Sequence, residues 1–409
     1  MAEMGFRAFG QVLVACAPVA AATALLVGAT VGLAAGQTPA PGSGGGTVDA
    51  GFGRGVTIGS GDGTASLTIR ARMQIRSTTS DTPDDERPAN ADVSIRRMRL
   101  VFQGNARGPA LTYYVQLSFA TLDTEADLRV PLRDAYVTWT VGQDAMLRIG
   151  QMKVPFSRQR VVSSSAMQLV DRALVVGELN LDRDVGAQWS ARVPGTGRRV
   201  GYTLGIFGGE GRNRAGRDLG YLYTARIEAS PLGSFDAYSE GDLRRDPAPR
   251  VAIGAGVGYN QNTNRPRSTI GDPYPAGDFD YRHAEVDAVF KQRGFSLTGE
   301  LMYRGADTDR RTVNVNGAPI TIASRSGWGG YIQGGQMLTA RVEMSGRYGR
   351  LSPREGTADT LVPSHEFVAG ASYYASEHNL KVQGDYTHLR ATGAPRAGRQ
   401  VRVQLQLFF

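Results

Sequence analysis

The chain ends with the stretch Val401–Phe409, VRVQLQLFF, in which apolar and polar residues alternate as far as Leu407. One face carries Val401, Val403, Leu405, Leu407 and Phe409, and the other carries Arg402, Gln404 and Gln406. Successive side chains of a β-strand point to opposite faces, so this pattern predicts an amphipathic strand. Most chain ends fray, but here the apolar face continues to the last residue. The pattern therefore predicts a final strand that is paired and that faces an apolar environment.

The same alternation recurs along the chain. The stretches LTIRARMQIR (67–76), LTYYVQLSF (111–119) and VGAQWSARV (185–193) each place apolar side chains on one face and polar side chains on the other. Roughly 16 such segments of about 9–12 residues are present, which is the length of a membrane-spanning β-strand. They begin near residues 66, 93, 109, 131, 145, 184, 198, 219, 249, 281, 294, 326, 338, 364, 379 and 398.

The connections between these segments alternate between short and long. NARGPA (105–110) is short and Lys153–Arg183 is long, whereas Pro231–Arg250 is long where a short turn is expected. Short periplasmic turns and long external loops are typical of an outer-membrane barrel. We therefore predict an all-β fold, a transmembrane antiparallel β-barrel of about 16 strands. A soluble β-sandwich also alternates, but an even strand number closes a sheet without edges, and charged faces suit a water-filled lumen.

The N-terminal residues predict export. Residues 1–36 resemble a signal peptide, with Arg7, a long apolar stretch and a small-residue cleavage site before Gln37. Lipoprotein processing at Cys16 and a retained membrane helix are the alternatives. Residues 37–50 have the composition of a flexible linker, which leaves residues 51–409 for the barrel. The only cysteine, Cys16, would leave with the signal peptide, so the mature chain is predicted to form no disulfide.

The charge is basic and consists almost entirely of arginine. The formal net charge is +8, and Lys153, Lys291 and Lys381 are the only lysines. The rigid guanidinium fork suits carboxylate and phosphate oxygens, although a GC-rich genome would produce the same bias. On the predicted lumen faces, bases outnumber acids, most clearly in the first strands. The alternative is a lumen wall of salt bridges that has no role in selectivity.

Arg96 does not fit strict alternation. It points outward if Arg97 points into the lumen. A β-bulge would bring both inside; otherwise Arg96 lies near a membrane interface with its stem buried.

No enzyme signature is apparent. The histidines His283, His365, His378 and His388 lack metal-ligand spacing, and we find neither a G-x-S-x-G motif nor a P-loop. The sequence thus predicts no catalytic residue, no metal and no cofactor. Nucleic-acid binding would suit the high pI, but the signal peptide directs the protein out of the cytoplasm.

The chain resembles the phosphate-selective porin O and P family. The likeness is carried by GDGTASLTIRARMQI (61–75), IRRMRLVFQG (95–104) and SSSAMQLVDRAL (163–174), and most specifically by RIGQMKVPFS (148–157). It implies a 16-stranded trimeric barrel whose third external loop, Lys153–Arg183 here, folds into the lumen. The loop forms a basic constriction in that family, which passes anions such as phosphate or polyphosphate.

The resemblance also implies site residues. Arg96 and Arg97 match paired arginines of the family, Asp134 its lumenal aspartate, and Ser163, Ser164 and Ser165 its anion-binding serines. Arg172 and Arg160 match the basic residues that flank these serines. Together with the lumen-face arginines and the other bases of the loop, Lys153 and Arg158, the predicted substrate-binding set is Arg70, Arg72, Arg76, Arg96, Arg97, Arg99, Asp134, Lys153, Arg158, Arg160, Ser163, Ser164, Ser165 and Arg172.

The sequence therefore predicts a porin for anions in the outer membrane of a Gram-negative bacterium. Expected partners are inorganic anions such as phosphate, outer-membrane lipid, the outer-membrane assembly machinery and two further copies in a homotrimer, with no nucleic acid. The alternative is a general or oligosaccharide-selective porin. Such a pore would show stacked aromatic residues along its lumen, or acids that balance the bases at its constriction.

Overall fold

The computed structural model of the chain describes residues 45–81, 90–123, 130–214 and 220–409. The predicted signal peptide and residues 37–44 of the predicted linker lie outside the described residues. Strands account for most of what is described. They are β1 (Thr47–Gly51), β2 (Gly55–Gly59), β3 (Ser66–Asp81), β4 (Asn90–Asn105), β5 (Leu111–Ser118), β6 (Leu132–Val141), β7 (Ala145–Lys153), β8 (Arg183–Arg192), β9 (Val200–Phe207), β10 (Leu222–Ala229), β11 (Arg250–Thr263), β12 (Phe279–Gln292), β13 (Phe295–Ala306), β14 (Arg310–Val315), β15 (Ala318–Ala323), β16 (Gly327–Met337), β17 (Val342–Pro353), β18 (Ser364–Ser376), β19 (Leu380–Ala391) and β20 (Gly398–Phe408).

Sixteen of the described strands, β3–β13 and β16–β20, form a closed antiparallel barrel. Each pairs with its neighbours along the chain, and β20 returns to pair with β3, from Phe408 opposite Arg72 to Arg399 opposite Asp81. The predicted fold class is confirmed, and every predicted strand start lies within four residues of an observed one. The regular alternation explains this accuracy, because a register error of one residue would turn each apolar face toward the lumen.

The barrel is apolar outside and charged inside. In β12, Glu285 and Asp287 are buried, whereas Val286 between them is 51% exposed. β20 follows the same rule, with Arg402, Gln404 and Gln406 buried. A soluble domain would reverse this arrangement. The outer surface therefore suits lipid, and the charged faces lie inside the barrel.

An N-terminal hairpin extends the sheet at the seam. β1 pairs with β2, and β2 pairs with the start of β3, from Val56 opposite Ile69 to Gly59 opposite Ser66. It covers the edge of β3 that β20 leaves open. Gly55 has φ +78° there, and a Cβ would lie 2.1 Å from the Ile69 carbonyl oxygen. The predicted linker, residues 37–50, thus ends too late, because the alternating residues from Thr47 onward pair as a strand.

The connections alternate as predicted, and residues 230–249 are the long connection at the short-turn end. The β14–β15 hairpin lies in the connection between β13 and β16. Two short helices, α1 (Arg158–Val161) and α2 (Leu174–Leu179), lie in the β7–β8 connection. Among the described residues, no helix has the length and apolar character needed to span a membrane.

The terminal residue gives a first prediction. The Phe409 side chain is 49% exposed, and its backbone exchanges two hydrogen bonds with Ala71, of 2.7 and 3.0 Å. Deleting Phe409, or replacing it with aspartate, should lower the amount of assembled barrel, because the seam loses pairing or gains a charge at an apolar surface. The heat-modifiable form on gels measures this. Thr392→Asp in an exposed loop is the matched control, and normal assembly of both Phe409 variants would contradict the interpretation.

Candidate functional site

The β7–β8 connection, residues 154–182, contacts inward-facing side chains from several parts of the barrel wall. The Val170 amide donates to the Asp385 carboxylate on β19 at 3.0 Å, and Arg347 on β17 donates to the Asp171 carbonyl at 2.9 Å. On another side, Gln74 of β3 donates to the Ser164 carbonyl at 3.2 Å. The prediction that this third external loop folds into the lumen stays a prediction, and these contacts support it.

An apolar cluster anchors the same segment. Val175, Val176 and Leu179 of α2 are fully buried. They belong to a cluster with residues of the barrel wall, which contributes Phe207, Leu222, Met302, Tyr331 and Leu351. Burying an aliphatic side chain of this size contributes about 1.5–3 kcal/mol. The segment is therefore held by packing as well as by hydrogen bonds.

Between the segment and strands β4–β8 lies a cavity of about 580 Å³, here called the basic pocket. Among the described residues that line it, ten are cationic and three are acidic. The cations are Arg96, Arg97, Arg99, Arg133, Arg148, Lys153, Arg160, Arg172, Arg183 and Arg212, and the acids are Asp123, Asp134 and Asp182. Ser163, Ser164, Tyr114 and Tyr136 also line it. The formal charge of the lining is strongly positive, which favours anions.

Two β-bulges add arginines to this pocket. Between β3 and β4, Gln74 faces Arg97 and the next residue, Ile75, faces Ile95, so Arg96 is the extra residue. Between β5 and β6 the register shifts in the same way, and Arg133 is extra. Arg96 lines the pocket together with Arg97, and Arg133 together with Asp134. A bulge redirects a side chain that strict alternation would send outward. The structure thus contains the bulge that Arg96 requires.

The acids of the pocket are bound by arginines. Asp123 accepts from Arg99 at 2.6 Å and lies 3.4 Å from Arg133 and 3.7 Å from Arg97. Burial alone raises the pKa of Asp123, but Arg99 and the neighbouring arginines outweigh this effect and hold the pKa below its usual range. Asp123 thus stays ionised, and each such acid offsets part of the arginine charge around it.

The other two acids have the same role. Asp134 accepts from Arg183 at 2.9 Å, and Asp182 accepts from Arg160 at 2.7 Å. Burial raises the pKa of Asp182, but Arg160 and Arg183 outweigh it and lower the pKa overall. Three carboxylates cannot balance ten cations, so the pocket keeps an excess of positive charge.

Several other cations donate to backbone carbonyls, which carry no net charge. Lys153 Nζ donates to the Val161 carbonyl at 2.8 Å, and Arg172 Nη2 donates to the Val162 carbonyl at 2.7 Å. Burial lowers the pKa of Arg172 to about 9, and Arg160 adds to this effect. Arg172 therefore remains charged at neutral pH. These bonds position the side chains without neutralising them.

Two of the predicted serines line the pocket. Ser163 is exposed, and Ser164 is buried. Arg72 donates to the hydroxyl oxygens of both, at 3.3 and 3.0 Å, so it supports the pocket from behind. The Ser165 hydroxyl lies 2.8 Å from that of Ser163 and does not line the cavity.

Three predicted arginines lie elsewhere. Arg70 donates to the Gly53 carbonyl at 3.0 Å and lies over the Phe408 ring. Arg76 binds Asp171 at 2.5 Å. Arg158, which is 1% exposed, binds Asp287 at 2.5 Å and Glu228 at 2.9 Å on β12 and β10. That Arg158 binds substrate stays a prediction, which these ion pairs on the other side of the barrel do not support.

That other side is the salt-bridged wall that the sequence left as an alternative. Arg347 pairs with Glu366 at 2.9 Å and Arg402 with Asp385 at 2.7 Å. Arg226 pairs with both Glu285 and Asp287. The salt-bridged wall and the excess of bases thus describe different parts of the lumen. Bases and acids are matched along β10–β20, whereas bases exceed acids along β4–β8.

Sequence reasoning missed several pocket residues. Arg133 was overlooked because alternation allows only one of Arg133 and Asp134 to face inward. Arg148 is absent from the predicted set, although it lies in the most specific family stretch. Arg183, Arg212, Tyr114 and Tyr136 carry no local signal, since connections and distant strands bring them together.

Solved structures resemble this fold at low sequence identity. An anion-selective porin from Comamonas acidovorans is 13% identical with a TM-score of 0.55, covering 84% of this chain and 100% of that one. The outer-membrane channel DcaP of Acinetobacter baumannii is 12% identical with a TM-score of 0.55, covering 88% and 100%. A loop-deletion mutant of OmpT from Vibrio cholerae is 10% identical with a TM-score of 0.56, covering 85% and 100%.

One protein related in sequence matches only part of this chain. An uncharacterized protein of Aquifex aeolicus (strain VF5) is 28% identical over 143 residues, which are 32% of this chain and 34% of that protein. The chain thus spans about a third of the length of this relative.

This closed barrel with an apolar outer surface has the fold of the outer-membrane proteins to which it is similar. The sequence profile described as phosphate-selective porin O and P matches residues 67–409, and the chain belongs to that family. Its family, together with this barrel, places the chain among the porins of the Gram-negative outer membrane.

Proposed function

We propose that the protein is an anion-selective channel through which phosphate or a related anion diffuses passively. The observation that carries the proposal is the basic pocket, in which ten cationic residues face three carboxylates among the described lining residues. Charges that line a narrow aqueous path raise the local concentration of counter-ions, and low-dielectric walls strengthen the effect. The family description and the anion-selective porin among the structural neighbours support the same function.

Magnitudes favour weak, multiple sites over one deep site. A charge pair at about 4 Å contributes about 1 kcal/mol in water and about 4 kcal/mol at intermediate dielectric. Two or three arginines with serine hydroxyls would then bind an anion by about 4–8 kcal/mol, a Kd between about millimolar and micromolar. Tighter binding would stop conduction, which requires sites that release the ion. Ser163 with Arg96, Arg97, Arg99 and Arg172 is the proposed binding region.

We propose that residues 154–182 form the constriction from inside the barrel. The segment supplies Arg160, Ser163, Ser164 and Arg172 to the pocket, and wall strands supply the remaining cations. We also propose the partners expected from the sequence: lipid against the apolar outer face, the assembly machinery at the C-terminal strand, and a homotrimer.

An oligosaccharide-selective pore is less compatible with the pocket. Its aromatic pair, Tyr114 and Tyr136, stacks at 5.2 Å between ring centroids. The Arg148 guanidinium lies 4.4 Å from the Tyr136 centroid. Tyr136 thus has partners for its ring within the protein, whereas a sugar track requires a run of rings with open faces. Ion selectivity of the purified protein in planar bilayers tests the proposal directly.

The inward position of residues 154–182 predicts a labelling pattern. In a Cys16→Ala background, cysteine at Ser163 should react slowly with a bulky maleimide added to intact cells, because the side chain lies in a pocket within the barrel. Cysteine at Ala318, at the exposed tip of the β14–β15 hairpin, should react quickly. A small thiosulfonate should reach both and, at position 163, lower the conductance. Equal rates with the bulky reagent would place the segment outside.

A further inference from the structure

The long connection at the short-turn end, residues 230–249, crosses beneath the barrel wall. It leaves β10 and contacts two other places on that rim, the β12–β13 junction and the β18–β19 turn. Lys291 Nζ at the end of β12 donates to the Asp236 carbonyl at 2.8 Å, and the Gly294 amide donates to Asp242 at 2.7 Å. In the β18–β19 turn, His378 Nε2 lies 3.0 Å from the Ser239 hydroxyl. The connection therefore spans the opening beneath strands β10–β19.

The same connection reaches residues 154–182 through Glu240. This side chain is 4% exposed. Its carboxylate accepts from the Gln168 amide and the Gln159 side chain, both at 2.8 Å, and from Gln333 of β16 at 2.9 Å. Its own amide donates to the Ala166 carbonyl at 2.9 Å. The buried Glu240 carboxylate thus joins residues 230–249, at the short-turn end of the barrel, to residues 154–182 from the opposite end and to strand β16. Hydrogen bonds to a carboxylate are stronger than those between two neutral groups.

The lysines of the chain mark the same two segments. Lys153, Lys291 and Lys381 are its only lysines. Each donates to a backbone carbonyl, namely those of Val161, Asp236 and Met167, at 2.8 Å in every case. An ammonium is a compact donor of three hydrogen bonds, which suits converging carbonyls better than a planar guanidinium does. In an otherwise arginine-based chain, all lysines therefore anchor residues 154–182 or 230–249.

We propose that residues 230–249 are a plug that closes the short-turn opening beneath β10–β19, and that Glu240 is the positioning residue that locks this plug to residues 154–182. The open path is then confined to the side of β3–β9, where the basic pocket lies. The plug sets how much of the lumen conducts. The basic pocket sets which ions enter, so the two proposals are independent.

Single-channel conductance in planar bilayers tests the plug. Replacing residues 231–249 with Gly-Ser-Gly-Ser should raise the conductance about two-fold. The plug closes the opening beneath about half of the barrel circumference, so its removal should about double the open cross-section. Glu240→Ala unlocks the plug from residues 154–182 and should also raise the conductance, or the current noise if the plug then moves. Glu240→Gln keeps an acceptor oxygen and should restore values near wild type. Arg244→Ala, at an exposed position of the same connection, is the matched control and should change neither value.

The heat-modifiable form shows whether each variant is folded, and Glu240→Ala decides the question if the deletion variant does not assemble. Folded variants that conduct like wild type, with no added noise, would overturn the proposal. A wild-type channel without anion preference would contradict the proposed function but leave the plug intact. The two failures are therefore distinguishable.

Discussion

Replacing Arg96 and Arg148 with glutamate should lower the ratio of anion to cation permeability about ten-fold. A unit charge at about 8 Å in water changes the energy of an ion by about 0.5 kcal/mol, and the two substitutions change the pocket charge by about four units. The change acts in opposite directions on anions and cations, and salt screens part of it. Both side chains are half-buried and line the pocket, so they should tolerate exchange better than buried Arg97 and Arg99.

The matched control carries the same charge change at the short-turn end. Arg107→Glu with Arg293→Glu alters two exposed residues outside the basic pocket and should leave the ratio near the wild-type value. Phosphate should also reduce chloride current less in the Arg96→Glu, Arg148→Glu variant than in wild type. An equal loss of preference in both double variants would mean that overall charge, and not the basic pocket, determines selectivity.

The second large effect should be on stability, with little effect on selectivity. Arg158→Gln leaves Asp287 and Glu228 without one cationic partner inside the barrel, and breaking a buried pair costs about 3–5 kcal/mol. The temperature at which the folded form disappears on gels should therefore fall. Reversal potential and phosphate block should stay near wild type, because Arg158 lies outside the basic pocket.

Arg172→Gln is the informative comparison. Arg172 lines the pocket, and glutamine can still donate to a backbone carbonyl. This variant should lose part of its anion preference and phosphate block while keeping most of its thermal stability. A stronger effect on phosphate block from Arg158→Gln than from Arg172→Gln would contradict this expectation and support Arg158 as a binding residue.

Alternation made the fold predictable. A strand that faces lipid must present apolar side chains at every second position, so the sequence of β12 or β20 shows both its existence and its faces. The hairpin β1–β2 was missed because five-residue strands carry too few alternations to stand out beside a Gly-rich stretch. Its pairing with β3 depends on the edge that β20 leaves open.

The site was predictable only in part. Alternation predicts which face a strand residue occupies, but not its partner. Arg72 and Arg76 both face inward on β3, yet one supports the serines and the other pairs with Asp171. Arg133 enters through a bulge that no local pattern indicates. The length of residues 230–249 stands out in the sequence because a short turn is expected there. The contacts of Glu240 could not be predicted, because they join residues far apart in sequence.

Reversal potential of the wild-type channel in a potassium chloride gradient tests the central claim most directly. The basic pocket predicts a potential of the sign that marks anion preference. That preference should be stronger near 0.1 M salt, where the Debye length is about 10 Å, than near 1 M, where it is about 3 Å. A cation-preferring channel, or one with no preference at low salt, would contradict the account and favour a general porin.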